Sequence, residues 1–436
     1  MEADRMAIES DVLVIGGGLA GLTSALAAAR ARAGVDVRLV TYKQSTLQQA
    51  SGLVDVLGYR PNGDGPLANP FEAIPELPCD HPYQTVGVDT VRTALSLFDD
   101  VTDYAGSHTD ANALIPTHGG TIKPTARYPQ SASAGIASDD GSMLLVGFDS
   151  ITDFDAPLAA DHLTSAGVPF DVRGVTIQFP GDLSADTKVT RYAKLLDTNG
   201  DVTVSDNGGS TQRPAREALA DRVKIHLADE TRVGFPAVLG DTNAATVRAA
   251  LGASLGAAVF EVPMGPPSLP GLRLEDQLFD AVSDAGGFIE SGNPVIDYTD
   301  DGSGTVETVI VERNGAEIPM QAEQYVLATG GLVGKGVEST REEVYEPIFG
   351  CHIAHDADRY EWFDTAVFGD HSFARFGVDT DTDLRPLDAD GNIEFANLRA
   401  AGAVLGGYDY AAEKSASGVS IATGYMAGVN AATTIR

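Results

Sequence analysis

Cysteine is almost missing: Cys79 and Cys351 are the two thiols in 436 residues. Two thiols cannot build a disulfide framework or a four-ligand metal site, and without a Cys-x-x-Cys the chain has no set of thiolates for an iron–sulfur cluster. Any such electron carrier must reside on another polypeptide. Lysine is scarce too, at 7 of 29 basic residues against 42 Asp and 20 Glu, so the formal charge is −33 and the pI near 4.4. That field repels a phosphate backbone and excludes nucleic-acid binding. The acids run from Asp4 to Asp390 without forming a terminal block, which suits a solvated surface adapted to high salt, where screening relieves self-repulsion. No run reaches the ~18 apolar residues that would cross a bilayer, and Met1-Glu2-Ala3-Asp4-Arg5 does not open a charged-then-apolar leader. The expectation is a cytoplasmic protein, with any membrane attachment made peripherally through partner subunits.

The chain is otherwise ordinary, 43% hydrophobic and 21% charged, and long enough for two domains or one large domain with an insertion. Asp11 to Ile15 is a short apolar run of the kind buried on both faces of a sheet. It stops at Gly16-Gly17-Gly18-Leu19-Ala20-Gly21, and Leu22 to Ala33 then reads as a helix, followed by a second strand from Val35 to Val40. In such a βαβ unit Gly16 allows the tight turn, Gly18 a phosphate's approach and Gly21 close helix packing, with the helix N-terminus facing the anion. The Asp or Glu that usually holds a ribose after the second strand is missing from Thr41-Tyr42-Lys43-Gln44-Ser45, which leaves FMN, FAD held unusually, or NADP.

Two further glycine turns follow. Tyr325 to Leu327 reads as a buried strand running through Ala328 and Thr329 into Gly330-Gly331, and Leu398 to Asp409, with Gly402, Gly406 and Gly407, leads through Ser417-Gly418 into a last helix ending near Thr433. That third turn is expected to offer backbone N–H groups to a flavin edge that gains charge on reduction. Between the first and second turns, expected helices at 91–104, 157–166 and 243–255 and a strand at 143–148 point to an insertion. A helix at 274–285 and a hairpin of 306–311 with 317–320 over Asn314-Gly315 mark the return. The fold class is therefore α/β, a Rossmann-like FAD/NAD(P)-binding flavoprotein fold with an inserted cap or substrate domain. The segments expected are 1–88, 266–345 and 396–436 for flavin, 89–265 for the cap, and 346–395 for a further cap or excursion.

These residues resemble the B subunits of anaerobic glycerol-3-phosphate dehydrogenase, within the group of two-dinucleotide-fold flavoproteins. The likeness rests on Val14 to Leu22, Gln44-Ser45, Ser51 to Asp55, Leu114 to Thr117, Lys123 to Thr125, Gly147-Phe148, Asp153-Phe154 and Gly234 to Gly240. Narrower and more telling are Pro266-Pro267-Ser268-Leu269-Pro270-Gly271-Leu272-Arg273-Leu274 and Gly402 to Asp409. The resemblance implies a flavin subunit that carries FMN, with FAD the alternative. It would work beside an FAD-containing catalytic subunit that oxidises glycerol 3-phosphate and an iron–sulfur membrane-anchor subunit that passes electrons to quinone. Some bacterial relatives have cysteine-rich sequence near the last helix; Ser415-Ala416-Ser417 stand here instead, so no thiol role transfers.

Alcohol oxidation needs a base for the hydroxyl proton and a cation for the phosphate. His118, in the loop Pro116 to Gly120, is the candidate base or else a structural histidine. Arg273 is the candidate anion contact or else an ion-pair partner of Glu275 or Asp276. Ser51 and Gly52 are expected at the flavin ring. His352 and His355 lack a carboxylate pattern, so no metal is expected. Two other functions remain open: a non-catalytic flavin-binding electron-relay or assembly subunit, and a stand-alone fumarate- or succinate-type flavoenzyme.

Overall fold

The computed structural model describes residues 7–42, 45–181, 183–206 and 209–435, so Lys43 and Gln44 lie outside the described residues. The chain divides into two compact units. The first holds residues 1–46, 55–102 and 275–436, the second residues 47–54 and 103–274.

The first unit begins with β1 (Ile8–Ile15), α1 (Leu19–Ala31) and β2 (Val37–Thr41). In α1 every residue from Leu19 to Ala28 is buried, not a single stripe. A helix of Ala, Gly, Ser and Leu can be covered on all sides because its small residues let neighbouring backbones approach. The helix α2 (Val88–Asp99) buries Val91, Ala94, Leu95 and Phe98 along one face and belongs to this unit. It ends before Tyr104, which is instead part of a short strand.

The second unit has a sheet of its own. Its strands β3 (Met143–Phe148), β4 (Val172–Ile177), β5 (Arg232–Pro236) and β6 (Ala258–Val262) stand in the order β6-β5-β3-β4, all parallel. The crossovers β3 to β4 and β5 to β6 each carry a helix, α3 (Ala156–Ser165) and α4 (Ala244–Leu255). The stacked and edge-on rings of Phe148, Phe179, Tyr192 and Phe235 fill its core. The insertion is thus a small parallel α/β layer, which one strand reading in the sequence did not foretell.

The boundary between units falls after Leu274, inside the helix α5 (Leu269–Asp284), which starts five residues earlier than expected. The first unit then resumes with β7 (Phe288–Ser291), β8 (Val295–Asp300), β9 (Val306–Arg313), β10 (Ala316–Leu327), β11 (Leu398–Ala400) and the closing helix α6 (Ala416–Thr434). Asn314 and Gly315 both take positive φ, 53° and 76°, as the tight hairpin requires. The expected strand at 317–320 and the one at 325–327 are a single strand, β10. The sheet order is β7-β2-β1-β10-β9-β8, with β11 added on β10.

Helices α1 and α6 meet through missing side chains. A Cβ on Gly428 would collide with the Ser24 carbonyl, and one on Gly424 would stand 2.5 Å from the Ala20 carbonyl oxygen. The Ser24 hydroxyl donates to the Gly424 carbonyl at 2.9 Å. Gly428→Ala should therefore cost about 1–3 kcal/mol of unfolding free energy in molar salt. Gly119→Ala, where a Cβ meets open space, should change it by less than about 0.5 kcal/mol.

Candidate functional site

Strand register brings the glycine turns together. Ile15 on β1 lies beside Leu327 on β10, and Leu327 lies beside Ala400 on β11, all parallel. The three strands therefore end in line, and each runs at once into its turn: Gly16, Ala328 to Gly331, and Gly402. The Ala328 N–H donates to the Ile15 carbonyl at 2.8 Å, and the Ala401 N–H to the Leu327 carbonyl at 2.9 Å.

Each glycine here answers to a different neighbour. Gly16, at φ 117°, and Gly21 admit no side chain: a Cβ would strike the Ala328 carbonyl in one case and the Gly16 carbonyl in the other. Gly17 sits 2.9 Å, measured from a built Cβ, from the side chain of Thr41, which packs beneath it. Gly18 differs, because its Cβ would meet only the Thr46 hydroxyl at 3.8 Å. That open space adjoins the start of α1, where Gly18 is the N-cap, no side chain caps the helix and the first intrahelical bond is Leu22 N–H to Gly18 O. The N–H groups of Leu19, Ala20 and Gly21 precede that bond and point out of the first turn. In the turn after β10 the hydroxyl of Thr329 is buried without a hydrogen-bond partner, where a Cβ on Gly336 would strike it. A phosphate-bearing cofactor fits the open space at Gly18 and the uncapped first turn of α1.

The third turn corrects the sequence reading. Its N–H groups are spent within the protein: Gly402 on the Thr423 hydroxyl at 2.9 Å, Gly406 on Val378 O at 3.2 Å, Gly407 on Arg375 O at 3.1 Å and Gly418 on Asp55 O at 2.7 Å. Glycine is needed at these positions for packing. A Cβ on Gly402 would stand 2.6 Å from Ala20 Cβ, and Cβ atoms on Gly407 and Gly418 would strike the Asp80 carbonyl and the Tyr83 hydroxyl. Gly331 likewise faces the Ala403 carbonyl at 2.6 Å from a built Cβ, while Gly330 takes φ 87°. Ser417 occupies the first turn of α6, half-buried.

Sequence reasoning missed two features. Glu275, buried on α5, accepts the Ser45 N–H at 3.2 Å. It thus supplies, from another part of the chain, a carboxylate near the end of β2, where the local sequence has none. The second is a buried knot below α6, in which His81 Nε2 meets Glu413 Oε2 at 3.0 Å. The Tyr83 N–H donates to His81 Nδ1 at 3.0 Å, so Nε2 carries the ring proton. Ser415 and the Asp409 N–H donate to the same carboxylate at 3.1 Å each. Burial pushes the phenols of Tyr83 and Tyr408 upward, so both stay protonated, and Tyr408 Oη is buried without a partner. Partners 332 residues apart leave no local signal.

The remaining candidates lie in the second unit. Ser51 and Gly52 belong there, where Gly52 takes φ 79°, packs against Pro270 and accepts the Tyr104 hydroxyl at 2.7 Å. His118 is half-buried beside Gly265, its N–H bonded to Pro263 O at 3.1 Å. Arg273 is neither an open anion contact nor the partner of Glu275 or Asp276. It grips the buried Glu261 from both nitrogens, at 2.6 and 3.0 Å, and also donates to Gly240 O. Burial alone would raise the Glu261 carboxyl, but the guanidinium outweighs it and holds the group below the usual range. Among the described residues no His, Cys, Asp and Glu cluster could hold a metal ion, and His355 is occupied by Ile353 O and the Val344 N–H.

A mixed sheet, parallel through β7, β2, β1, β10 and β11, with a glycine-lined helix N-terminus at the carboxyl edge of those strands is the architecture of a dinucleotide-type flavoprotein, and the family described as FAD binding domain matches residues 11–419. More narrowly, the chain belongs to the family of anaerobic glycerol-3-phosphate dehydrogenase B subunits. It is 68% identical to the probable member from Halobacterium salinarum over 99% of both chains. It is 32% identical to the Vibrio cholerae member over 96% of this chain and 95% of that one. Among solved structures it aligns with 3-ketosteroid Δ1-dehydrogenase from Sterolibacterium denitrificans over 98% and 100% of the two chains, at 11% identity and a TM-score of 0.44, too distant a likeness to bear on the site. The matched description names FAD, and nothing in it supports the FMN that the family resemblance implied.

If Arg273 is structural, Arg273→Ala leaves Glu261 buried and unpaired and should cost about 3–5 kcal/mol at neutral pH. The folded Glu261 pKa lies below that of the unfolded chain, so this stabilisation is full above about pH 4.3 and is lost as pH falls through the folded value. The deficit of the variant, read by denaturant titration, should therefore shrink on acidification.

Proposed function

We propose that the chain is the FAD-holding subunit of a membrane-associated glycerol-3-phosphate:quinone oxidoreductase, in which sn-glycerol 3-phosphate becomes dihydroxyacetone phosphate. The observation that carries this reading is the alignment of Ile15, Leu327 and Ala400, which sets the uncapped N-terminus of α1 and the gap at Gly18 beside the turn after β10. Bound there, FAD supplies a two-electron acceptor. The N–H groups of Leu19, Ala20 and Gly21 hold its phosphates, with Gly18 leaving them room. Thr329 and Gly330-Gly331 line the neighbouring edge, and Thr41 and Ser45 stand by the second strand. An iron–sulfur partner and quinone take the electrons onward, consistent with a chain that has two cysteines. Attachment to the membrane is through partners; among the described residues no helix is long and apolar enough to cross one. The charge of −33 fits work at high salt.

A second reading, an electron-relay subunit whose FAD-containing partner performs the oxidation, is favoured by one observation. Arg273, the candidate phosphate cation, is consumed by Glu261, leaving His118 as the one catalytic candidate not accounted for by an ion pair.

Three measurements test these readings. Acid-released cofactor from protein purified in molar KCl should have the mass of FAD, with one equivalent per chain; FMN, NADP or no chromophore contradicts the reading. Gly18→Val should lower flavin content at least tenfold while the unfolding midpoint of the apoprotein stays put, because its side chain enters open space. Anaerobic addition of glycerol 3-phosphate to the loaded chain alone separates the two roles: bleaching of the flavin absorbance supports oxidation here, and its absence supports the relay.

A further inference from the structure

Five of the exposed large apolar side chains of the first unit fall within residues 360–373. Phe368 is fully exposed, Val367 81% and Tyr360 70% exposed, with Phe363 and Phe373 at 46% and 42%. Together they present on the order of 600 Å² of apolar surface. That reaches the upper end for a monomer's largest patch and approaches the ~800 Å² that one partner contributes to a standard interface.

The stretch is built, not loose. Trp362 Nε1 donates to Asp356 O at 2.7 Å, and His371 accepts the Asp364 N–H at 3.0 Å while its other nitrogen meets Val367 O at 3.1 Å. His355 stands edge-on to Trp362 and Phe376 at 5.8 and 6.3 Å. The polar groups thus hold the loop's own backbone and leave the rings outward. Its far end is stitched to the third glycine turn: the Val378 N–H donates to Val404 O at 2.8 Å, and Gly406 and Gly407 donate back to Val378 and Arg375.

We propose that this aromatic excursion is the seat of another subunit of the dehydrogenase, through a protein surface apolar at its centre and cationic at its rim. The proposal rests on the subunit reading above. Asp356, Asp358, Glu361, Asp364 and Asp370 are exposed and interleave with the rings along the chain, against Arg359 and Arg375, and Arg375 is already paired with Asp370 at 2.6 Å. A second copy of this chain would set the same carboxylates against each other, and an anionic membrane surface would repel them. A different chain can present the opposite sign around a shared apolar centre, the usual anatomy of an interface with aromatic anchors.

The test co-expresses the chain with the other dehydrogenase subunits in molar KCl and measures their affinity. The double variant Val367→Ser, Phe368→Ser should bind those subunits at least tenfold more weakly than wild type, with flavin content and unfolding midpoint unchanged. Ile225→Ser, which removes an 82% exposed side chain from the second unit, should bind like wild type. The proposal is overturned if the double variant keeps wild-type affinity, if it loses only self-association, or if it loses only binding to phosphatidylglycerol vesicles. A wild-type chain that binds none of the subunits removes the subunit reading itself.

Discussion

In-register pairing of three parallel strands decides where the chemistry can sit. Ile15, Leu327 and Ala400 end side by side although 312 residues separate the first two and 73 the last two, so the turns after them have no choice but to adjoin. The contacts that follow are backbone on backbone: Gly16 against the Ala328 carbonyl, Gly21 against Gly16, Gly331 against Ala403. None tolerates a side chain, which is why the turns are glycine-rich before any ligand is considered. What this packing leaves over is the gap at Gly18 and the uncapped first turn of α1, where the proposed cofactor would bind.

The same economy explains the closing helix. α6 lies on α1 through Gly424 and Gly428, and its start is fixed by Gly418 on Asp55 and by the His81–Glu413 knot. A carboxylate buried beside a neutral histidine is tolerable because three donors share its charge. The second unit has an independent core around its own parallel sheet, and there the Arg273–Glu261 pair serves the interior, where it fastens Gly240 and Leu239 to the end of β6.

Much of the first unit was legible in the sequence because its signals are local. A β-branched run, a glycine fingerprint and an alanine-rich helix declare a βαβ unit within about thirty residues, and Asn314-Gly315 declares its hairpin. The Gly402 to Gly407 turn was legible as a turn, but the destination of its N–H groups was not, since Val378, Arg375 and Thr423 are reached only in the folded chain. Arg273 misled for the same reason: its partner is not its neighbour Glu275 but Glu261 across the unit. Glu275 in turn stands by Ser45, 230 residues away, so a carboxylate judged missing from β2 arrives from α5. The parallel sheet of the second unit escaped notice because its short strands are separated by long, turn-rich segments without a fingerprint.

The central claim is that the turns after β1, β10 and β11 surround one FAD. An experimental structure of the cofactor-loaded chain in molar salt tests it most directly. The account predicts phosphate oxygens within hydrogen-bond distance of the Leu19, Ala20 and Gly21 amides and a cofactor atom on the Thr329 hydroxyl. A flavin seated entirely within the second unit, with the first turn of α1 facing water, would contradict it.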